Sequence, residues 1–259
     1  MAYWSRLISV ARLGCVSSTM LATFGTALTA LIAVPAMGTV FDVLLGRDLR
    51  APDYTRTGYA SAIVSLAMSV ALGVVGKVVA DRGLGVFQEI VVRRTFDTAY
   101  WIGSAVVPVA LSMPTLAVTL GGVFLISPSH DVGQLLRVVP LSLAAVLIGA
   151  LFGMCCAGIG VSLPDPYLAA TIAGCVVPIT AGIVVPVSLY PDWLAAVCAW
   201  FPLNGTIRAL DGVVFGRGGA GAGAVGADLL VTVVWAAVGL LFTRVAVRRL
   251  RNGSRQTLL

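Results

Sequence analysis

Charge is scarce in this sequence, and histidine and lysine are nearly missing. Only 11% of the 259 residues are charged and 59% are hydrophobic, with His130 as the single histidine and Lys77 as the single lysine. A typical soluble domain has about 25% charged residues and about 45–50% apolar ones. One soluble core of this size cannot bury the excess of apolar surface. The composition therefore predicts an integral membrane protein.

Residues that carry chemistry are also few. The five cysteines include no C-x-x-C pair, which favours buried structural thiols over a disulfide framework. One histidine leaves no set of ligands for a metal site. Residues 73–78, GVVGKV, lack the first glycine and the Ser/Thr of a phosphate-binding loop. We therefore expect no catalytic site and no metal on this chain, and its short runs of cations do not indicate nucleic-acid binding.

Long apolar tracts dominate what is present. A helix needs about 20 apolar residues to cross the hydrocarbon layer, and six tracts reach or approach that length. They predict one all-α membrane domain over residues 1–259 with six transmembrane helices, preceded by an interfacial helix at residues 1–17 that carries Arg6 and Arg12. The first tract is too long for a cleavable signal peptide. The tracts lie at residues 19–44, 59–79, 99–126, 138–161, 168–189 and 228–247.

The cations predict the orientation of these helices. With the N-terminus inside, eleven of the 17 cations fall in cytoplasmic segments and six in outer segments, while seven of the 11 acids fall outside. Cytoplasmic loops of membrane proteins carry the excess of Lys and Arg. Both termini are therefore predicted to be cytoplasmic, which agrees with an even number of spans. The segment at 77–98 is then a cytoplasmic loop, 248–259 is a cytoplasmic tail, and 190–227 is an extracellular connection. The Gly/Ala-rich run at 216–226 within that connection predicts a flexible link.

The predicted spans contain no ionisable side chain in their deep parts. Asp42 and Asp228 fall at predicted outer ends. Transport driven by an ion needs ionisable groups inside the membrane, and an intramembrane enzyme acting on lipid needs a cluster of them near one interface. The chain is therefore expected either to be a passive pore or scaffold, or to take its energy from a partner that grips the loop at 77–98.

Two ordered motifs resemble a known family. Residues 81–90, DRGLGVFQEI, match the acidic-Arg-Glu-x-Gly pattern and amphipathic helix of that family at Asp81, Arg82 and Gly85, with Gly83 in the place of its usual Glu. The family also has a later series of motifs: Gly-x-x-x-Pro, then Pro-x-Trp-Leu, then an aromatic-Pro pair and an Arg. This sequence matches the series at residues 182–186, 190–194 and 200–204, followed by Arg208. Together they resemble the membrane subunits of ABC-2-type ABC exporters, the type V exporter-like permeases.

The resemblance implies a fold and a set of partners. It implies a cytoplasmic coupling helix and an extracellular re-entrant helical hairpin, a second permease subunit that is identical or paralogous, and a separate nucleotide-binding ATPase subunit that holds ATP and Mg. It places the chain in the bacterial plasma membrane, in contact with lipid. The residues expected to couple to the ATPase are Asp81, Arg82, Gly85, Phe87, Gln88, Glu89 and Ile90, with Phe87 and Ile90 as the apolar anchor.

The resemblance also points to a substrate path along the first, second and fifth spans. Its expected hydroxyl residues are Thr23, Thr26, Thr29, Ser61, Ser65, Ser69, Thr171 and Thr180, although hydroxyls in spans also serve as contacts between helices. An outer gate is expected at Pro186, Tyr190, Trp193, Trp200, Phe201 and Pro202, for which an aromatic belt at the interface is the alternative.

A path so poor in charge favours an amphiphilic or hydrophobic cargo, such as a drug, an antibiotic or a lipid-like molecule. A permease for lipid-linked polysaccharide is an alternative in the same family, but the low aromatic content of 8% weighs against it. A pore or scaffold that uses no ATP is the alternative outside the family.

Overall fold

The structure is a computed structural model that describes residues 8–10, 12, 14, 23–48, 54–93, 97–183, 185–216 and 221–251, with only the backbone of 91–93 and 249–251. These residues form helices, turns and short connections, and no strand occurs among them. Of the predicted interfacial helix at 1–17, Arg6 lies outside the described residues, whereas Arg12 is helical and exposed.

In the part of the chain that the structure describes, five helices are long and apolar enough to cross a membrane, as expected of a multi-pass membrane protein. They are α1 (Phe24–Asp48), α2 (Tyr54–Gly83), α4 (Thr98–Ile126), α5 (Val132–Gly160) and α9 (Gly221–Arg251). The shorter helices are α3 (Val86–Arg93), α6 (Leu168–Thr180), α7 (Asp192–Cys198) and α8 (Asn204–Val214). We call the end of the bundle where α1 ends at Asp48 and α2 begins at Tyr54 the outer end, after the orientation predicted from the cations. The opposite end, with Gly83 and Thr98, is called the inner end.

The predicted fifth span is too short in the structure. Helix α6 covers 13 residues, which is about 20 Å at 1.5 Å per residue, whereas the hydrocarbon layer is about 30 Å thick. The helix stops because Gly182 adopts a φ of 72°, where Val187 and the Val185 carbonyl oxygen leave no room for a Cβ. The prediction of a helical span over 168–189 was therefore wrong beyond Thr180.

The other tracts extend beyond their predicted ends. Helix α1 continues to Asp48 and α2 already begins at Tyr54, so Asp42 lies six residues inside α1 and Arg56 lies within α2. At the other end of the chain, α9 begins at Gly221, so the part of the predicted flexible link from 221 to 226 is helical. Asp228 consequently lies about two helical turns inside α9, rather than at its end.

Helices α2 and α5 form the best-buried pair of the bundle. In their most apolar windows 61% and 67% of the residues are buried, against 11% for α1. The backbones of α2 and α5 approach each other where Gly149 faces Ala67, because a Cβ on Gly149 would lie 2.8 Å from the Ala67 Cα. Small residues allow such close contacts between membrane helices. The bundle thus has a tightly packed centre, with α1 on its periphery.

Candidate functional site

A cavity of about 720 Å³ lies between α1, α2 and α4. This volume is within the range of sites for small organic ligands. Much of its wall is apolar and comes from all three helices. The apolar lining includes Leu31, Val34, Leu66, Leu72, Val107 and Leu111.

Hydroxyl groups line the cavity between these apolar side chains. Most of them donate their hydrogen to a backbone carbonyl: Ser69 to Leu66 at 2.7 Å and Ser112 to Val109 at 2.7 Å. Thr115 donates across the cavity wall to the Leu31 carbonyl of α1 at 3.4 Å. A hydroxyl that has given its only hydrogen to the backbone can still accept hydrogen bonds. The remaining hydroxyl residues of the lining are Thr39, Ser65, Ser104, Thr119 and Tyr167.

One acidic and one basic side chain also line the cavity. Asp42 lies toward the outer end and accepts a hydrogen bond from the Ser61 hydroxyl. Lys77 lies toward the inner end and forms an ion pair with Asp81 one helical turn along α2. The two cavity charges lie far apart, since Ser61 and Lys77 are 16 residues apart on α2, or about 24 Å.

The predicted substrate-path residues divide into two groups. Ser65 and Ser69 line the cavity, whereas the other six do not belong to its lining. Thr23 and Thr26 form a reciprocal N-terminal cap of α1, and Ser61 donates to Asp42. Thr29, Thr171 and Thr180 donate to backbone carbonyls of their own helices.

Sequence reasoning missed the contribution of α4 to this cavity. Ser104, Ser112, Thr115 and Thr119 all line it, and their spacing of eight, three and four residues places them on one helical face. This spacing is visible in the sequence and could have predicted a polar face on α4. Asp42 and Lys77 were missed because the predicted span boundaries placed them at the ends of helices.

At the inner end, the loop after α2 contains the short amphipathic helix α3. Gly85 forms the turn before it, with a φ of 77°. Phe87 is only 5% exposed and packs against Tyr100 of α4, with 6.0 Å between the ring centroids. Ile90 packs against the same core, whereas Gln88 and Glu89 are exposed. The apolar face of α3, which was expected to anchor the ATPase, is therefore directed at the bundle.

Asp81 is likewise turned inward. It is 4% exposed, and besides Lys77 it binds the hydroxyl of Tyr100, which donates at 3.0 Å. Asp81, which was expected to couple to the ATPase, is therefore a buried connection between α2 and α4. Arg82 is half-buried and donates to the Leu163 carbonyl at 3.2 Å.

The predicted gate residues at the outer end face in different directions. Phe201 and Pro202 point inward, with the Phe201 ring 6.1 Å from that of Trp235. Trp193 and Trp200 are about 70% exposed, as in the alternative of an aromatic belt. The remaining two are half-buried: Pro186 precedes a 3-10 turn at Val187–Leu189, and the Tyr190 hydroxyl donates to the Ile179 carbonyl at 3.0 Å.

Two carboxylates, the partly buried Asp211 and the buried Asp228, join the outer helices to the bundle. Asp211 of α8 receives a hydrogen bond from Arg56 Nε at 2.7 Å, and Arg56 also donates to the carbonyl oxygens of Gly182 and Ile183. Asp228 accepts from both the backbone and the hydroxyl of Thr206 at 2.7 Å. Nearby in α7, burial raises the pKa of the Cys198 thiol.

Within the described ranges, no three His, Cys, Asp or Glu side chains come close enough together to hold a metal ion. No protein-family model and no curated protein matches the sequence.

Proposed function

We propose that this chain is the membrane subunit of an ATP-driven exporter of the ABC-2 type, which moves an amphiphilic cargo through the cavity between α1, α2 and α4. In this proposal the outer end faces away from the cytosol, both termini are cytoplasmic, and the complex lies in a bacterial plasma membrane. A separate ATPase subunit binds the inner end, and a second permease subunit completes the complex.

The observation that carries the proposal is the attachment of α3 to the helices around the cavity. Phe87 packs on Tyr100, the Tyr100 hydroxyl binds Asp81, and Asp81 binds Lys77, which lines the cavity. Any movement of α3 is therefore transmitted to both α2 and α4 through buried contacts. A coupling helix needs such a rigid connection to a substrate site.

The exposed side of α3 suits a protein partner. Leu84, Gly85, Gln88 and Glu89 are exposed on and just before this helix. A partner that binds here meets polar groups and two apolar side chains, Leu84 and Val86, which are 70% and 38% exposed. We assign docking to this exposed side, and the buried Phe87 and Asp81 to transmission of the movement.

Helix α1 lies at the periphery of the bundle and can therefore move. With 11% of its most apolar window buried against 61% for α2, α1 can change its position at a lower cost in lost packing. Displacement of α1 would open or close the cavity, because α1 forms one of its three walls.

The test is co-expression of the chain with candidate nucleotide-binding subunits, followed by purification in lipid nanodiscs. We expect one ATPase to co-purify, and we expect Glu89→Arg and Gln88→Glu to weaken that association severalfold. Arg137→Glu is the matched control, because Arg137 is exposed at the outer end of α5. Conductance or cargo flux from the purified chain without any ATPase would instead favour the pore.

A further inference from the structure

The charge around the cavity is unbalanced. Among the described residues Asp42 has one hydrogen-bond partner, the neutral Ser61, and no cation. Lys77, the one basic residue among the described residues of the lining, already has its counter-charge in Asp81. The outer half of the cavity therefore carries the charge of one carboxylate that no residue of the described chain neutralises.

The hydrogen-bonding groups of the outer half are mostly acceptors. Thr39, Ser69, Ser112 and Thr119 each donate their hydrogen to a carbonyl of their own helix, at 2.7–2.9 Å. Their oxygens, like those of the Asp42 carboxylate, can then only accept. Ser65 is the hydroxyl of this half that makes no hydrogen bond within the described chain. Such a lining selects for a ligand that donates hydrogen bonds.

The size and composition of the cavity argue against a bare metal ion. A volume of about 720 Å³ far exceeds that of one ion, and side chains such as Leu31, Val34 and Leu111 provide no ligands. From the level of Asp42 the apolar wall continues toward Lys77 for about 24 Å along α2. This length accommodates a hydrocarbon tail or a ring system below a polar head group.

We propose that the cavity binds an amphiphilic amine, with the ammonium group at Asp42 and the apolar body along α2 and α4. An ammonium carries the charge that the outer half lacks and donates up to three hydrogen bonds to its acceptors. The proposal names the cargo class of the exporter proposed above and rests on it only for transport. Binding itself requires no ATPase.

The test measures binding of three fluorescent probes to the full chain in nanodiscs, with empty nanodiscs to correct for partition into lipid. The probes are dansyl-diaminodecane, its neutral N-acetyl derivative and dansyl-aminoundecanoic acid. We expect the amine to bind about tenfold more tightly than the neutral probe, since hydrogen bonds to charged groups have about this effect or a larger one. The acid should bind most weakly.

Three variants decide the role of Asp42. Asp42→Asn should abolish the preference for the amine, whereas Asp42→Glu should retain it, which separates loss of charge from loss of folding. Asp48→Asn removes an exposed carboxylate at the end of the same helix and should change nothing.

Equal binding of all three probes, preference for the acid, or an unchanged preference in Asp42→Asn would each overturn the proposal. So would displacement of the amine by sodium at equal concentration. The exporter proposal fails separately: if no ATPase associates, Asp42-dependent amine binding still stands. If ATP-driven amine transport is unaffected by Asp42→Asn, the exporter stands and this assignment falls.

Discussion

Arg56 of α2 and Asp211 of α8, which lie 155 residues apart in the sequence, form a partly buried ion pair with 2.7 Å between Arg56 Nε and Asp211 Oδ1. Arg56 is 3% exposed, and the pair ties α8 and the end of α6 to α2. Removing Asp211 leaves the buried Arg56 with carbonyl partners but without a counter-charge. We expect Asp211→Asn to lower stability by about 3 kcal/mol, measured as thermal unfolding in detergent.

Arg208→Gln is the control for that experiment. Arg208 lies on the same helix but is exposed, and surface charges contribute about 0–1 kcal/mol. Equal loss of stability in both variants would show that α8 responds to any change of charge and not to this pair.

The contact of Gly149 with Ala67 should tolerate no larger residue. Gly149→Ala forces apart the backbones of α2 and α5, so we expect a loss of about 1–3 kcal/mol. Gly121→Ala in α4 is the matched control, since nothing lies within 4 Å of a Cβ there. Unfolding temperatures in detergent would compare the two, and an unchanged value for Gly149→Ala would contradict the packing described.

Docking of α3 on the bundle should depend on Phe87. Replacing Phe87 with alanine removes its packing on Tyr100, so α3 should separate from α4 and become several times more sensitive to proteolysis at Glu89 in inverted membrane vesicles. Leu84→Ala alters a neighbouring apolar residue that is exposed, and the cleavage rate should stay at the wild-type value. Equal protection in Phe87→Ala would mean that other contacts hold the helix.

Cys198 should react slowly with alkylating reagents and only at raised pH. Burial raises the pKa of its thiol, so at any given pH a smaller fraction is the reactive thiolate. A variant with Cys198 as its only cysteine should reach half its maximal rate at a higher pH than one with only Ser188→Cys, an exposed position nearby. Coinciding pH profiles would contradict this difference.

The predicted orientation can be read from two introduced cysteines. An impermeant maleimide should label Ser129→Cys but not Leu84→Cys in intact cells, and the reverse in inverted vesicles. Both positions are exposed, at opposite ends of the bundle. Labelling of Leu84→Cys from outside would invert the topology and place α3 beyond the reach of a cytosolic ATPase.

Hydropathy predicted the apolar tracts well, but it failed where contacts with distant residues decide where a helix begins or ends. The predicted second span began at residue 59 because Arg56 is charged, yet Arg56 lies inside α2. Its partner Asp211 is too distant in sequence to be found from a local window. In the same way, Gly182 ends α6 through a positive φ that the apolar sequence around it conceals.

The short helix α3 was predicted with more success than the cavity. The apolar spacing of Phe87 and Ile90 indicated one face of a helix, and α3 forms there, but spacing alone does not say whether that face meets a partner or the bundle. The cavity depends on which helices are neighbours. In that arrangement α4 lines the cavity together with α1 and α2, whereas no residue of α6 is part of the lining.

The shortness of α6 has a consequence for the surrounding lipid. A 13-residue apolar helix fits a layer roughly 10 Å thinner than the usual hydrocarbon core. Acyl chains next to this helix must compress or tilt, because they would otherwise contact polar surroundings beyond its ends. The energetic cost rises with each ångström of mismatch. The protein should therefore sense the thickness of its bilayer at this one side.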